Sequence, residues 1–194
     1  MLRIFWTQAK RGFVYSHIGW LLIRKHQKVI ENGRKLDMTD LKKDPIVMLQ
    51  RSLDPYFSMF MCFLFPSAPS YIGWNEDPMI GFFVAGCLRY CLVLHKVWLV
   101  NSAAHLYGSH PYDDSINPSE NQIVAFLSAG EGWHNWHHKF PYDYAASEFG
   151  IFQQYNPTKL FIDICAFLGL ATNRKRALNA WQSLKERNVG KEKI

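Results

Sequence analysis

Three of the eight histidines lie within five residues of one another, as His134, His137 and His138 in the run GEGWHNWHH (residues 130–138). On a helix, positions i, i+3 and i+4 share one face, so the three imidazoles can converge on a single point. Neutral imidazole is a ligand for zinc, iron, copper and nickel. The spacing therefore predicts a metal site, although a surface helix with solvated or hydrogen-bonded rings would have the same pattern.

A fourth candidate ligand stands upstream of this run, at His105 in the sequence NSAAH (residues 101–105). Asn101 and His105 are at positions i and i+4, so on a helix they share a face. A ligand on a rigid element that is anchored in a membrane would be well positioned for a metal. As a single residue, His105 could also be an ordinary helix-end histidine that interacts with the helix dipole.

The composition indicates what kind of fold must position these residues. Apolar residues make up 48% and aromatic residues 15% of the chain, which also has 22 lysines and arginines against 16 acidic residues. Apolar segments with basic flanks are typical of a protein in a bilayer with an anionic leaflet. The sequence contains no basic stripe with interleaved aromatic residues and no nucleic-acid module, so no nucleic-acid partner is expected.

The cysteines indicate no disulfide framework, and the first residues indicate no cleavable signal peptide. All four cysteines lie in apolar runs without C-x-x-C spacing, which favours neither a disulfide framework nor a cysteine zinc site. Residues 1–8 contain Arg3 and lack an apolar core, so no cleavable signal peptide is expected. Membrane insertion would then rely on internal segments.

Two apolar segments, residues 53–74 and 79–100, are long enough for a bilayer core of roughly 30 Å. Basic residues precede the first segment and follow the second, and the turn between them is acidic. The positive-inside rule then predicts a transmembrane helical hairpin with both flanks in the cytosol. Because charges are costly in hydrocarbon, we expect Arg89 to face protein or water, and His95 and Lys96 to lie beyond the bilayer.

The predicted fold class is an all-α membrane protein in which a cytosolic helical cap, next to the hairpin, carries the histidine-rich metal site. Residues 1–52 would form a cytosolic segment with interfacial helices, residues 101–176 the histidine-box and cap region, and residues 177–194 a charged tail. Within the cap, residues 160–172 are apolar apart from Asp163 and too short to span a bilayer. They indicate an amphipathic cap or interface helix.

Four motifs recur in an order that resembles a known family. They are NSAAH at residues 101–105, PYD at 111–113, GEGWHNWHH at 130–138 and FPYDY at 140–144. Together they are similar to the last histidine box, and the approach to it, of the membrane acyl-CoA desaturases of the stearoyl-CoA type. The resemblance covers about residues 9–176.

The resemblance implies an enzyme that introduces a cis double bond into a saturated fatty acyl-CoA with dioxygen. It implies a non-haem di-iron centre with mostly histidine ligands, and electrons from cytochrome b5 and its reductase. It also implies a multi-pass protein of the endoplasmic reticulum membrane. Residue by residue, the resemblance implies that the iron ligands are His105, His134, His137 and His138, with Asn101 bound through a water. It also implies that Arg24 and Lys25 bind the CoA phosphates and that Trp98 forms a wall of the acyl tunnel.

The chain also departs from the family. Two earlier histidine boxes, H-x-x-x-x-H and H-x-x-H-H, are expected upstream of the match at residues 9–13, and neither is present. His17 and His26 correspond to neither box. The chain therefore resembles a truncated desaturase that is inactive alone, because four ligands cannot complete a two-iron site. His95 and Lys96 replace small or amide residues of the family and are expected to narrow the acyl tunnel and impair activity.

Two other functions are compatible with the residues. The chain could be a non-catalytic membrane hairpin that retains the back half of the fold and pairs with an intact relative. It could also be a mononuclear metal-binding protein, because four imidazoles can form a closed tetrahedral site. Metal content separates these hypotheses.

Overall fold

The computed structural model describes residues 11–191, and every regular element within them is helical. Among these residues there is no strand, and two isolated bridges join Ser109 to Glu120 and Glu120 to Trp133. The prediction of a helical protein is therefore confirmed. The basic start of the chain, up to residue 10, and the last three residues of the charged tail lie outside the described residues.

The described chain forms two compact units. The first comprises residues 21–95, and the second comprises residues 11–20 together with residues 96–191. The predicted domain boundaries at residues 52, 100 and 176 derive from the expected membrane topology and not from contacts within the folded chain. They stay a prediction.

The first unit is a succession of short helices, two of which start at an aspartate followed by a proline. Asp44 accepts hydrogen bonds from the backbone N–H groups of Ile46 (2.8 Å) and Val47 (3.3 Å), and Asp77 caps the helix at Pro78 in the same way. An aspartate N-cap followed by proline satisfies free N–H groups and presets the helical φ angle. The α-helices are Gln27–Arg34, Thr39–Lys43, Pro45–Leu53, Tyr56–Met59, Ala68–Trp74 and Pro78–Gly81, with π-helical Phe60–Leu64 and Phe82–Leu88 and a 3₁₀ turn at Phe65–Ser67.

Small residues bring the two longest helical segments of this unit into contact. A Cβ atom added to Gly86 would lie 2.9 Å from the carbonyl oxygen of Phe63, and one added to Gly81 would lie 2.6 Å from Oγ of Ser70. Glycine permits such close approach because it has no side chain. Arg89 donates hydrogen bonds to the carbonyls of Ala85 (2.8 Å) and Cys62, so it faces protein, as predicted.

One helix of the described residues, Pro78–Leu106, is long and apolar enough to cross a membrane. It corresponds to the second predicted span, residues 79–100. The first predicted span, residues 53–74, is helical from Tyr56 onward but does not meet the same criterion of length and composition. A 3₁₀ turn that contains Pro66 lies at Phe65–Ser67 and interrupts this segment. The transmembrane hairpin is therefore not confirmed and stays a prediction.

The second unit has its hydrophobic core around the histidine motif. The buried core residues are Tyr112, Trp136, Phe140 and Ala177, and Trp181 packs against them. The ring centroids of Tyr112 and Trp136 are 4.8 Å apart and nearly perpendicular. The helices are π-helical Tyr15–Gly19, with α-helical Trp20–Leu22 at the boundary of the unit, then the end of Arg89–Asn101, Ala103–Leu106, Gln122–Leu127, His134–Lys139, Pro157–Phe167 and Leu178–Lys191.

Candidate metal centre

The histidine motif forms a short helix, His134–Lys139, here called the histidine helix. Its N-cap residue, Trp133, makes no side-chain cap, and Glu120 from another segment takes that role. Oε1 of Glu120 accepts a hydrogen bond from the backbone N–H of Trp136 at 2.8 Å. The helix ends at Phe140, before Pro141, which disfavours helical geometry in the residue that precedes it.

Three imidazoles converge beside this helix. Nε2 of His134 lies 3.0 Å from Nε2 of His105 and 3.0 Å from Nε2 of His138. One ligand atom from each of the three residues lies within 4.8 Å of the others. His134 is buried, His105 is half-buried and His138 is exposed. The structure thus brings together three of the four histidines that the sequence selected.

The chemistry of this group fits a metal better than a hydrogen-bond network. Nε2 of His134 faces two other Nε2 atoms, and a ring nitrogen offers either one proton or one lone pair, so it cannot make two well-aligned hydrogen bonds. A cation could accept a lone pair from each of the three rings. Burial is the main cause, and the nearby His138 the second, of a pKa of His134 that is lowered to about 2. This ring is therefore neutral at physiological pH, as a metal ligand must be.

His138 has the same tendency to stay neutral. Desolvation of its ring, and then the adjacent His137, lowers the pKa of His138 to about 4. Residue His138 is exposed as a whole, but its Nε2 faces His134 within the cluster. These neutral nitrogen donors suit a first-row transition metal such as iron or zinc.

His137 lies next to this group but not within it. Its ring stacks on His134 with centroids 5.5 Å apart and an angle of 22° between the planes. The residue is exposed and lines a cavity of about 210 Å³ together with Glu131, Tyr144 and Thr158. Its predicted role as an iron ligand stays a prediction.

The other predicted site residues lie on two different segments. Asn101 is the half-buried last residue of helix Arg89–Asn101, and Trp98 is half-buried on the same helix with its ring edge against His17. Arg24 and Lys25 are exposed in the connection between helices of the first unit. The roles of these residues in binding water, the acyl chain and CoA stay predictions.

The sequence analysis missed Asn135, which lies between the histidines and is fully buried. Its Oδ1 accepts hydrogen bonds from the backbone N–H groups of Tyr112 (2.9 Å) and Asp113 (3.0 Å). Its Nδ2 donates to the carbonyls of Asp113 (2.9 Å) and Pro118 (2.8 Å). All four hydrogen-bonding positions of the amide are satisfied, so Asn135 fixes the histidine helix to the loop over residues 112–118.

Trp136, also fully buried, fixes the same helix to the C-terminal part of the chain. Its Nε1 donates to Oδ2 of Asp143 at 3.3 Å, and the same oxygen accepts from the backbone N–H of Ala177 at 2.9 Å. Nε of Arg176 lies 3.2 Å from Oδ1 of Asp143, which is close enough for charge pairing but not aligned for a hydrogen bond. Asp143 therefore joins three segments around the motif.

A buried carboxylate, Glu120, completes the surroundings of the helix. Burial raises the pKa of Glu120 to about 7, although hydrogen bonds from the N–H groups of Trp136 and Asn135 oppose this shift. Its Oε2 is buried and has no hydrogen-bond partner within residues 11–191. The pKa of the nearby Tyr112 is also raised, first by burial and second by the charge of Glu148. The hydroxyl group of Tyr112 donates a 3.1 Å hydrogen bond to Glu148.

A histidine to which the sequence analysis assigned no role, His17, supports the segment that carries His105. Its Nδ1 lies 2.9 Å from Oγ of Ser102, and Oγ of Ser102 donates to the carbonyl of Trp98 at 2.9 Å. Ser102 is fully buried at the break between helices Arg89–Asn101 and Ala103–Leu106. The only sequence signal for His17 was a polar residue within an apolar run, which does not specify a partner.

The described residues thus combine one helix that is long and apolar enough to cross a membrane with a cluster of three imidazoles that could hold a metal ion. No family model matches the sequence. The chain is 53% identical over 169 residues to "Stearoyl-CoA desaturase 5" of Homo sapiens. The matched residues make up 87% of this chain and 51% of that protein.

Other relatives carry related names. The chain is 53% identical over 168 residues to "Acyl-CoA desaturase 1" of Tachysurus fulvidraco, covering 87% of this chain and 50% of that protein. It is 51% identical over 172 residues to "Acyl-CoA desaturase 3" of Mus musculus, covering 89% and 47%. The resemblance to the acyl-CoA desaturases is thus confirmed, and the chain spans about half the length of the curated relatives it matches.

Proposed function

We propose that this chain provides part of the iron centre of an acyl-CoA desaturase, which introduces a cis double bond into a saturated fatty acyl-CoA. The observation that carries the proposal is the convergence of His105, His134 and His138, with ligand atoms within 4.8 Å of one another. It occurs in a sequence about half identical to proteins named as desaturases. His137 and Asn101 are the proposed additional ligands, Asn101 through a water.

Desaturation removes two hydrogens from the acyl chain and reduces one dioxygen to two waters, so two electrons and two protons must come from a donor. Iron, when bound, would supply the reactivity towards dioxygen that an unactivated methylene requires. The chain's own residues would hold the metal in a neutral imidazole shell and limit the access of water. Cytochrome b5 and its reductase are the proposed electron donors.

Substrate binding is assigned to residues outside the histidine cluster. Arg24 and Lys25 are exposed and cationic, which suits the phosphates of CoA. Trp98 is proposed to contact the acyl chain, because a half-buried indole offers a large apolar surface. A two-iron centre needs more ligands than this chain's four candidate histidines, so full activity is proposed to require further ligands and this chain alone to be inactive.

The proposed setting is the membrane of the endoplasmic reticulum, with the histidine cluster in the cytosol. Helix Pro78–Leu106 supports a membrane location. The close packing of Gly81 and Gly86 on the preceding helical segment is compatible with the proposed transmembrane hairpin. A second pass would place the basic flanks on both sides of the hairpin in the cytosol.

The metal content of the purified 194-residue chain in detergent tests the proposal. We expect iron in the wild-type protein, a loss of most of that iron in His134→Ala, and no loss in His110→Ala. His110 is the matched control because it is an exposed histidine whose Nε2 lies 3.1 Å from the carbonyl of Asn117.

Other results would favour the alternatives. One zinc per chain, lost in His134→Ala, would support the mononuclear metal-binding protein, which the group of three converging imidazoles also permits. Absence of metal would leave the non-catalytic hairpin. Two irons per chain with turnover of acyl-CoA would show instead that the chain is sufficient for activity.

A further inference from the structure

Helix Pro157–Phe167 is amphipathic, but its apolar face points away from the rest of the unit. Leu160, Ile164 and Phe167 are at positions i, i+4 and i+7, and they are 40%, 49% and 89% exposed. Phe161 and Leu168 widen this face and are also exposed. A surface helix of a water-soluble protein has the opposite orientation, with its apolar stripe against the core. These five side chains are called the outer face below.

The charged side of the same helix is turned inward and neutralised. Nζ of Lys159 lies 2.6 Å from Oδ2 of Asp163, and Nη1 of Arg174 lies 2.6 Å from Oδ1 of the same carboxylate. The hydroxyl of Tyr144 donates to Oδ1 of Asp163 at 2.6 Å. Lys159 is 9% exposed although lysine is rarely buried. The helix thus satisfies its charges internally and leaves no charged side chain on the outer face.

The segments that flank the helix have the residue types found at a membrane interface. Phe152 and Tyr155 precede it and are 98% and 48% exposed. Leu170 follows it and is also exposed, and beyond it Arg174 and Lys175 are exposed. Aromatic residues and cations at the ends of an apolar surface suit the headgroup region of a bilayer with anionic lipids.

We propose that the outer face inserts into the interfacial region of an anionic phospholipid bilayer, as a membrane contact additional to the candidate span Pro78–Leu106. Protein interfaces carry direct hydrogen bonds and a polar rim, whereas this face consists of aliphatic and aromatic side chains only. Lipid needs no hydrogen-bond partners, and the exposed Lys175 after the helix adds a positive charge beyond the Arg174–Asp163 pair, which matches the negative headgroups. This contact does not depend on the metal centre.

Accessibility of spin labels tests the proposal on the full chain in vesicles of phosphatidylcholine and phosphatidylserine. The four native cysteines are first replaced by serine or alanine. Single labels are then placed with Phe161→Cys and Phe167→Cys on the outer face, and with Ser183→Cys as an exposed control on helix Leu178–Lys191. Collisions with oxygen, which enters lipid, are compared with collisions with a water-soluble nickel complex.

The expected result is more frequent collision with oxygen than with nickel at both outer-face positions, and the reverse at Ser183→Cys. An insertion depth of about 5–10 Å below the headgroup boundary would match an interfacial helix. Collision mainly with nickel at the outer face would overturn the proposal, because the face would then be in water. Protection from both reagents would also overturn it, since another protein surface or a second copy would cover the face.

A measurement without substitutions keeps the proposal testable if the variants fail to fold. Wild-type chain in vesicles that contain a photoactivatable phospholipid is irradiated, digested and analysed by mass spectrometry. Lipid adducts are expected on peptides with residues 160–168 and not on peptides with residues 112–118, which Asn135 holds against the histidine helix and which lie outside the outer face. Adducts restricted to helix Pro78–Leu106 would contradict the proposal.

Discussion

Replacement of Asn135 by alanine should weaken the candidate metal site although no ligand changes. The substitution removes two acceptor and two donor interactions and leaves four backbone groups, two in buried and two in partly buried hydrogen bonds, without their partner. A buried group without a hydrogen bond costs about 1–3 kcal/mol, but water that enters the vacated space can satisfy some of the groups. We therefore expect a loss of roughly 2–4 kcal/mol in the stability of this unit.

The same change should lower metal affinity, because the histidine helix loses its attachment to residues 112–118. Residues that orient metal ligands typically contribute about 10–100-fold to affinity. Iron or zinc binding to the chain in detergent would be measured by competition with a chromogenic chelator. Asn135→Asp is expected to be intermediate, since the carboxylate can still accept from Tyr112 and Asp113 but cannot donate to the two carbonyls.

Asn117→Ala is the matched control for this experiment. Asn117 is an exposed asparagine in the loop that Asn135 holds, and its backbone carbonyl remains available to His110. It should leave both the unfolding temperature and the metal affinity near wild type. Wild-type metal affinity in Asn135→Ala, together with an unchanged unfolding temperature, would refute the conclusion that this amide holds the helix in place.

Three further outcomes are expected. The pKa of Glu120 rises from 4.5 to about 7 on folding, so the folded state retains a proton and the free energy of unfolding should fall as the pH rises from about 4.5 to 7. Thermal unfolding at several pH values should show that Glu120→Gln lacks this pH dependence, and the same dependence of unfolding temperature on pH in both proteins would contradict it. Gly86→Ala should destabilise the first unit by roughly 1–3 kcal/mol, because its Cβ would lie 2.9 Å from the carbonyl oxygen of Phe63. The control Gly73→Ala, whose Cβ would have no atom within 4 Å, should be neutral or stabilising, and equal unfolding temperatures of the two variants would argue against close packing at Gly86. His-Lys introduced into a full-length desaturase at the positions of His95 and Lys96 should reduce acyl-CoA turnover, and normal turnover would show that these residues do not narrow the tunnel.

The helical class and the selection of His105, His134 and His138 could be predicted from the sequence, because i, i+4 spacing and imidazole chemistry are local properties. The relation of His137 to the other three could not. Helical spacing places His137 on the same face as His134, but the ring of His137 stacks beside His134 and outside the converging group. Side-chain rotamers and the position of His105, which lies 29 residues from His134, decide which nitrogens meet.

The supporting residues were missed for a related reason. Asn135 and Trp136 stand within the motif, but their partners are backbone groups of residues 112–118 and the carboxylate of Asp143. A hydrogen bond from an asparagine to a distant carbonyl leaves no periodic pattern in the sequence. Likewise, the amphipathic pattern of residues 160–172 indicated a cap or interface helix, but only the structure places Lys159 and Asp163 on the inner side.

The short length of the histidine helix makes these distant partners part of the candidate metal site. A helix of six residues is far below the length at which an isolated helix is stable in water. Its orientation must therefore come from tertiary contacts, which are supplied by Glu120, Asn135 and Trp136. Since Trp136 and the backbone of Ala177 share the carboxylate of Asp143, the geometry of the three imidazoles depends on sequence both before and after the motif. The histidine run transferred alone to another helical protein should accordingly lack this arrangement.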